Sequence, residues 1–481
     1  MDNENKLPEL APEEIHAVSS PVRAEAPDLA APQAVEAELL CDQPVQSPEG
    51  TQAGSVLAKP EPSGDTPTVP YAPSDEVNQV PEEKDPKLSD REVMEHTASI
   101  WRYRTVAENG TELHTEFHSK YSKSNGCEII GARARGKKHK HEGTNCDDWF
   151  ETGESEGFII AVVADGAGSK QLSRIGARVS CEAAVDYLKG ALSEVVRRNP
   201  QIKQQISAEI GGEEFMSACG MLAPLIQNSA RAAFDAVINK LRSLYSDKAY
   251  ISTLGRNPTL ADMGATFLAA VALPLEVNGG RENFVLSAQI GDGCICAIDS
   301  RADSGSCFKL LGEADSGAYS GETDFLSAKT VSEGVIARKT RISRGKSDIL
   351  MLMSDGVADD YFPAQPMMKR LYLDLCLNGI LPMQGETGEP QPPEPLKYPS
   401  VSPEQQSVAL QYAKQLLKDG SDEAMNELWN RRSELKPHSL EAYGISLGER
   451  PQDRLLTWID NYNERGSFDD RTLVIINFNA E

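Results

Sequence analysis

The sequence predicts an α+β fold, with sheet and helix layers drawn from residues 91–481 behind a disordered N-terminal tail. Three observations predict it. Unbroken apolar runs rich in β-branched residues end at Asp-Gly turns, as buried strands do. Stretches with apolar residues at near-helical spacing stand between and after those runs. Composition also breaks near residue 90: residues 1–90 hold 14 of the 29 prolines and 19 Asp+Glu against 5 Lys+Arg, with no sustained apolar period. Such a stretch cannot bury enough apolar surface to offset the entropy of ordering it, so it reads as an acidic, disordered tail.

Taken in order, Phe158–Ala164 is the clearest strand, bounded by Gly157 and Asp165-Gly166. Ser173–Leu188 carries Ile175, Val179, Ala183 and Leu188 at helical spacing, and a longer helical region runs from Phe215 to Tyr245. Ala265–Leu273 and Asn283–Ile290 form a strand pair joined by Pro274 through Arg281, and Gly293–Asp299 is a third strand entered through Gly291-Asp292-Gly293. Asp348–Ser354 is another apolar strand ending at Asp355-Gly356. Helical patterns occupy Ser407–Leu417, Asp422–Leu435 and Gln452–Arg465, and Thr472–Phe478 is the last strand. The Pro/Gly/Glu-rich segment 378–403 reads as an exposed loop inserted in one domain. At 481 residues two domains would be ordinary. The strands are nevertheless spread over all of 91–481, and no internal repeat divides them.

Charge and composition exclude several function classes. The tail carries −14 of the formal −25, leaving −11 on the rest, which disfavours binding to a phosphate backbone. The one basic cluster, Arg133 to His141, is local. The start Met1-Asp2-Asn3-Glu4 lacks the positive opening and apolar core of a secretory signal. No apolar run approaches the roughly 20 residues of a membrane helix. Nine cysteines without a C-x-x-C pair fit a reducing cytoplasm. No phosphate-binding G-x-x-x-x-G-K-[ST] loop is present. His139 and His141 alternate without a Cys or His partner at zinc-ligand spacing, and Trp149-Phe150 and Trp458 read as core.

The chemistry lies in short acidic motifs: Cys146-Asp147-Asp148-Trp149, Ala164-Asp165-Gly166-Ala167-Gly168, Gly291-Asp292-Gly293, Ser354-Asp355-Gly356 and Asp469-Asp470-Arg471-Thr472. Most adjoin a strand end, where a sheet can deliver carboxylates to a common point. Singly, each Asp-Gly is an ordinary solvated turn. Together they offer what Mg²⁺ or Mn²⁺ prefers, several carboxylates and a carbonyl from a tight turn, with Asp165-Gly166 able to supply both. Two such ions acidify a water and neutralise a phosphoryl oxygen, so no covalent nucleophile is needed.

In their order these motifs, with Gly264-Ala265-Thr266, resemble those of the PPM family, the metal-dependent type 2C serine/threonine protein phosphatases, in particular its bacterial branch. The resemblance covers roughly residues 125–480. It implies a four-layer α-β-β-α sandwich of two antiparallel sheets flanked by helices. It further implies hydrolysis of phosphoserine and phosphothreonine by direct attack of a metal-bridging water. Carried over, Asp165 bridges two Mn²⁺ or Mg²⁺ ions, the Gly166 carbonyl binds one, and Asp355 and Asp469 bind the other. Asp148 touches metal through water, with Asp147 beside it and the register between the two open by one residue. Asp292 matches a ligand of a third ion or is a plain turn. Partners follow as phosphoprotein substrates and a cognate serine/threonine kinase. Two departures stand out. Ala167 occupies the place where eukaryotic members carry a His, which leaves water as the acid. The family's phosphate-gripping Arg has no clear counterpart: Arg133, Arg135, Lys138 and His139 are the nearby candidates, against a solvated basic loop. The alternative from another class is an inactive phosphatase-like protein that binds phosphoproteins or acts as a scaffold.

Overall fold

The computed structural model describes Leu39–Leu40, residues 102–300, 307–314, 323–362, 364–381, a few positions between 406 and 414, 450–461 and 468–479. All of these lie within Glu36–Glu481. The expected tail, apart from Leu39–Leu40, lies outside the described residues, as do residues 382–403 of the Pro-rich loop and the expected Asp422–Leu435 helix.

Strands are numbered β1 (Leu39–Leu40), β2 (Phe117–Ser124), β3 (Cys127–Ala134), β4 (Trp149–Ser155), β5 (Phe158–Ala164), β6 (Phe267–Val277), β7 (Gly280–Ile290), β8 (Cys294–Ile298), β9 (Phe308–Leu310), β10 (Thr340–Gly345), β11 (Ile349–Met353) and β12 (Arg471–Asn477). They form two sheets, ordered β1-β10-β7-β6-β5-β4 and β2-β3-β12-β11-β8-β9. Every pairing is antiparallel except that of the two-residue β1 along β10.

Alternation along β5 explains the layers. Ile159, Ala161 and Val163 point between the sheets, where they meet Leu268, Ala270, Leu350, Leu352, Val474 and Ile476. Phe158, Ile160 and Val162 point the other way and pack with Val185, Leu188 and Ile226 from the helices Ser173–Arg198 and Glu213–Leu244. The opposite outer face is covered from the helices Ala364–Leu377 and Pro451–Asn461, through Leu371, Leu375, Leu455 and Trp458. A strand buried on both faces is apolar throughout instead of alternating, which is why β5 and β11 were legible as continuous runs. The expected four-layer sandwich is the architecture found.

Several boundaries differ from expectation. The connection expected over Pro274–Arg281 is only Asn278-Gly279; β6 and β7 run to Val277 and from Gly280. Both turn residues have left-handed backbone, φ 52° and 76°, the two-residue hairpin for which Asn-Gly is suited. Pro274 is tolerated because pairing of β6 with β5 stops at Ala272, so its missing N–H faces no neighbour. Strands β2, β3, β4 and β10 were not anticipated. Nor was the short helix Lys137–Glu142, which replaces the solvated loop expected for the basic cluster. Ser407, Leu410, Gln411 and Lys414 are helical, as expected.

Candidate metal centre

Five motifs converge at one end of the sandwich. Asp165 follows β5, Asp292 sits in the β7–β8 turn that passes from one sheet to the other, Asp355 follows β11, and Asp469-Asp470 precede β12. Asp147-Asp148 lead into β4. The Gly-Ala-Thr motif holds Asp165 in place: its backbone N–H donates to Thr266 Oγ1 at 2.8 Å, and its carbonyl accepts from the Thr266 N–H at 2.8 Å. Two glycines allow the close approach. A Cβ on Gly166 would lie 2.6 Å from the Asp147 carbonyl oxygen, and one on Gly356 would lie 2.0 Å from that of Asp470.

One carboxylate oxygen each from Asp165, Asp292 and Asp355 lie within 4.8 Å of one another. All three residues keep part of their surface open to solvent, although Asp165 is enclosed by protein on most sides. The carboxyls of Asp355 and Asp148 lie beside that of Asp165. Burial first, then the charges of Asp355 and Asp148, push Asp165 far above the ordinary carboxylate range. Burial pushes Asp355 up as well, aided by Asp292, Asp148 and Asp469, against the hydrogen bond from Asp165. Carboxylates this close can all be ionised only with a cation among them.

Asp148 is fully buried, and its Oδ2 accepts from Ser354 Oγ at 2.7 Å and Thr472 Oγ1 at 2.6 Å. Its Oδ1 has no hydrogen-bond partner, and neither has Asp292 Oδ1, although both atoms are buried. Orphaned carboxylate oxygens beside a carboxylate cluster fit a hard divalent cation.

A second group lies alongside. Asp470 accepts from the Gly136 N–H at 2.6 Å, from the Asp147 N–H, and from His139 Nδ1 at 2.8 Å. His139 Nδ1 also faces the Asn145 carbonyl at 2.8 Å, and its Nε2 lies 3.8 Å from Asp469 Oδ1. Burial opposes charge on His139, but Asp470, then Asp147 and Asp469, hold the imidazolium so that its pKa rises to about 10. Asp470 is correspondingly held below the usual carboxylate range: burial opposes this, and the His139 charge and hydrogen bonds outweigh it.

The protein phosphatase 2C family matches residues 135–375, half of the sequence. The chain belongs to the protein phosphatase 2C family. Membership makes it an enzyme of the protein serine/threonine phosphatase type. Among solved structures it is similar to the serine/threonine phosphatase Stp1 from Staphylococcus aureus, at 13% identity over 78% of this chain and 98% of that one, TM-score 0.30. RsbX in complex with magnesium aligns at 11% identity over 75% and 99%, TM-score 0.26. A phosphatase from Toxoplasma gondii aligns at 10% over 76% and 96%, TM-score 0.34. No curated protein matches the sequence.

Within this type 2C phosphatase, the expected site residues separate into two neighbourhoods. Asp165, Asp355 and Asp292 form the cluster, with Gly166 next to Asp165 and Asp148 beside it. Asp147 faces His139 and Asp470 instead, which divides the acidic pair whose register the sequence left open. Asp469 sits at the rim, about half exposed, within electrostatic reach of Asp355. The expected phosphate-gripping arginines are not placed for that task. Arg133 is wholly buried, donates to the Thr115 carbonyl and hydroxyl at 3.1 Å each, and lies over the Trp149 ring at 4.4 Å. Arg135, also buried, donates to the Arg104 carbonyl at 2.8 Å. His139 is committed to Asp470.

Ser354, Thr472 and Asp470 stand inside the motifs without a role that the sequence alone assigns. A hydroxyl on the boundary of an otherwise apolar strand was the available signal, since burial there demands a partner. Thr323, whose hydroxyl donates to Asp292, had no motif to mark it.

Proposed function

We propose that this chain is a metal-dependent protein serine/threonine phosphatase that hydrolyses phosphoserine and phosphothreonine in phosphoproteins with two Mn²⁺ or Mg²⁺ ions. The observation that carries the reading is the Asp165–Asp292–Asp355 group, with the partnerless Asp148 oxygen beside it. Asp165, Asp355 and Asp292, the Gly166 carbonyl and rim Asp469 would hold the ions, with Asp148 one layer out. When bound, two divalent cations supply an acidified water and neutralise charge on the phosphoryl group.

The chain's own residues do the rest. Thr266 fixes the Asp165 backbone, and the Ser354 and Thr472 hydroxyls fix one Asp148 oxygen so that the other faces the cluster. Those hydroxyls also favour the Asp148 carboxylate, against burial and the charge of Asp470, which push its pKa up to about 6. As a carboxylate, Asp148 can orient a water and accept a proton from it. The described cysteines are all unpaired and buried, which supports a reducing compartment such as the cytoplasm. Among the described residues no helix is long and apolar enough to cross a membrane. A cognate serine/threonine kinase completes the reading.

The test is hydrolysis of p-nitrophenyl phosphate with and without Mn²⁺, comparing wild type with Asp165→Asn, followed by phosphoserine and phosphothreonine peptides. Metal-dependent turnover that vanishes in the variant supports the reading. A folded, metal-binding wild type without turnover favours the inactive phosphoprotein-binding alternative.

A further inference from the structure

We infer that Gln289 is the positioning residue that sets Asp292 in the carboxylate cluster. This inference rests on the reading above of Asp292 as a metal ligand. It starts from a polar side chain in an apolar place. On β7, Val285 faces the layer between the sheets, and Ser287 and Gln289 share that face because side chains alternate along a strand. Gln289 is 1% exposed and pairs with Leu268, which lies in the same layer. A primary amide buried there costs free energy unless its atoms find partners. Its nitrogen finds two: Nε2 donates to the Gly293 carbonyl at 2.7 Å and to the Gly291 carbonyl at 3.3 Å. Its oxygen finds none, and Gly312 makes room for it, since a Cβ there would lie 2.0 Å from Oε1. Both bonds of this amide therefore go to the turn Gly291-Asp292-Gly293, one on each side of the aspartate.

The same turn is wedged between the supports of the other two cluster aspartates. A Cβ on Gly291 would lie 2.5 Å from Thr266 Cγ2, and φ of Gly291 is 115°, a backbone that favours glycine. A Cβ on Gly293 would lie 2.4 Å from the Met353 carbonyl oxygen. Thr266 holds the Asp165 backbone, and Met353 ends β11 two residues before Asp355. The Gln289 amide thus fixes the turn against both neighbours.

The Asp292 side chain is fixed from a different direction. The Thr323 hydroxyl donates to its Oδ2, which leaves Oδ1 buried and without a partner. With the backbone held by Gln289 and one oxygen held by Thr323, the place of Oδ1 is determined before any cation arrives. That is the preorganisation a hard cation needs, because its affinity falls when a ligand oxygen is free to wander. Asp165 and Asp355 are supported by other residues, so loss of the amide displaces one ligand of the three.

The probe is Mn²⁺, titrated calorimetrically into the full metal-free chain, with Asp292→Asn identifying the binding step that depends on Asp292. Gln289→Met keeps the length of the side chain and removes the donor. It is expected to weaken that same step about ten-fold, the worth of one good hydrogen bond. In the Asp292→Asn background, Gln289→Met should change the step less than two-fold, because the ligand it positions is gone. Ser287→Ala removes another buried hydroxyl from the same face of β7, one that donates to the Leu311 carbonyl, and should lower Tm while leaving Mn²⁺ affinity unchanged. Should Gln289→Met fail to fold, Gln289→Glu, of equal length and without the amide donor, replaces it in the titration. Mn²⁺ affinity within two-fold of wild type overturns the inference. So does an equal loss in Ser287→Ala, or a further ten-fold loss in the Asp292→Asn background, either of which makes the effect general packing. A titration that Asp292→Asn leaves unchanged overturns it too. If the wild type hydrolyses no phosphomonoester, the phosphatase reading fails separately, and the Mn²⁺ titration still decides the role of Gln289.

Discussion

Replacing Asp470 with Asn tests the inner group, because the change keeps shape and removes charge. Asp470 is 2% exposed and receives the Gly136 N–H, the Asp147 N–H and His139 Nδ1. The rise of the His139 pKa from 6.5 to about 10 corresponds to roughly 4–5 kcal/mol of preference for the imidazolium. Breaking one side of a buried ion pair costs about 3–5 kcal/mol, an independent figure of the same size. Asp470→Asn should therefore lose about 3–5 kcal/mol of unfolding free energy, read by urea denaturation near pH 6. The pH dependence has a definite sign. His139 has a folded pKa above its unfolded value, so its contribution is full below pH 6.5 and is lost as pH rises through about 10. Asp470, with a lowered folded pKa, contributes above its unfolded value of 3.8 and loses that contribution on acidification. The gap between wild type and Asp470→Asn should thus be widest between about pH 4 and 6.5 and narrow towards pH 10. His139→Gln and the double variant complete a cycle with strongly non-additive losses. A cost below about 1 kcal/mol, or additive single losses, would refute the ion pair as the organiser of this group.

Thr472→Val removes a hydroxyl from the buried Asp148 carboxylate and should cost about 1.5–3 kcal/mol in denaturant unfolding, with a fall in turnover. Gly356→Ala places a methyl 2.0 Å from the Asp470 carbonyl oxygen; overpacking of about 3 kcal/mol should be visible as a lowered Tm and a loss of hydrolysis. Without metal, Asp165 and Asp355, whose folded pKa values are raised, contribute to stability at low pH and lose that contribution as pH rises, Asp355 through about 8. Mn²⁺ or Mg²⁺ should consequently raise Tm more at pH 8 than at pH 6, which differential scanning fluorimetry can check.

The parts legible in the sequence were those whose physics is local. β5 announces itself because both faces are buried, and Asp165 follows because only a turn residue can end such a run. β2 was not legible: it lies at a sheet edge, and Phe-His-Ser-Lys-Tyr-Ser-Lys-Ser shows no apolar alternation. Arg133 and Arg135 looked like solvent-facing charge because a sequence shows a cation without showing what receives it. Their acceptors, Thr115 and Arg104, lie in a segment without regular structure, 18 and 31 residues away. Asp470 was hidden by its neighbour. Two adjacent aspartates diverge here, one towards the rim and one inward, and that divergence depends on how β12 enters the sheet.

The position of β12 also bears on when the site can exist. It is an interior strand, paired with β3 and β11, and its leading end brings Asp469, Asp470 and Thr472 to residues more than three hundred positions earlier. A ribosome-bound chain that has not yet released this segment holds His139 without its counter-charge, and Asp148 with only one of its two hydroxyl donors. Sheet closure and assembly of the carboxylate centre are then one event, which waits for residues 469–477. A chain that stops short of β12 would lack the assembled carboxylate group, whatever else of the two sheets it had formed.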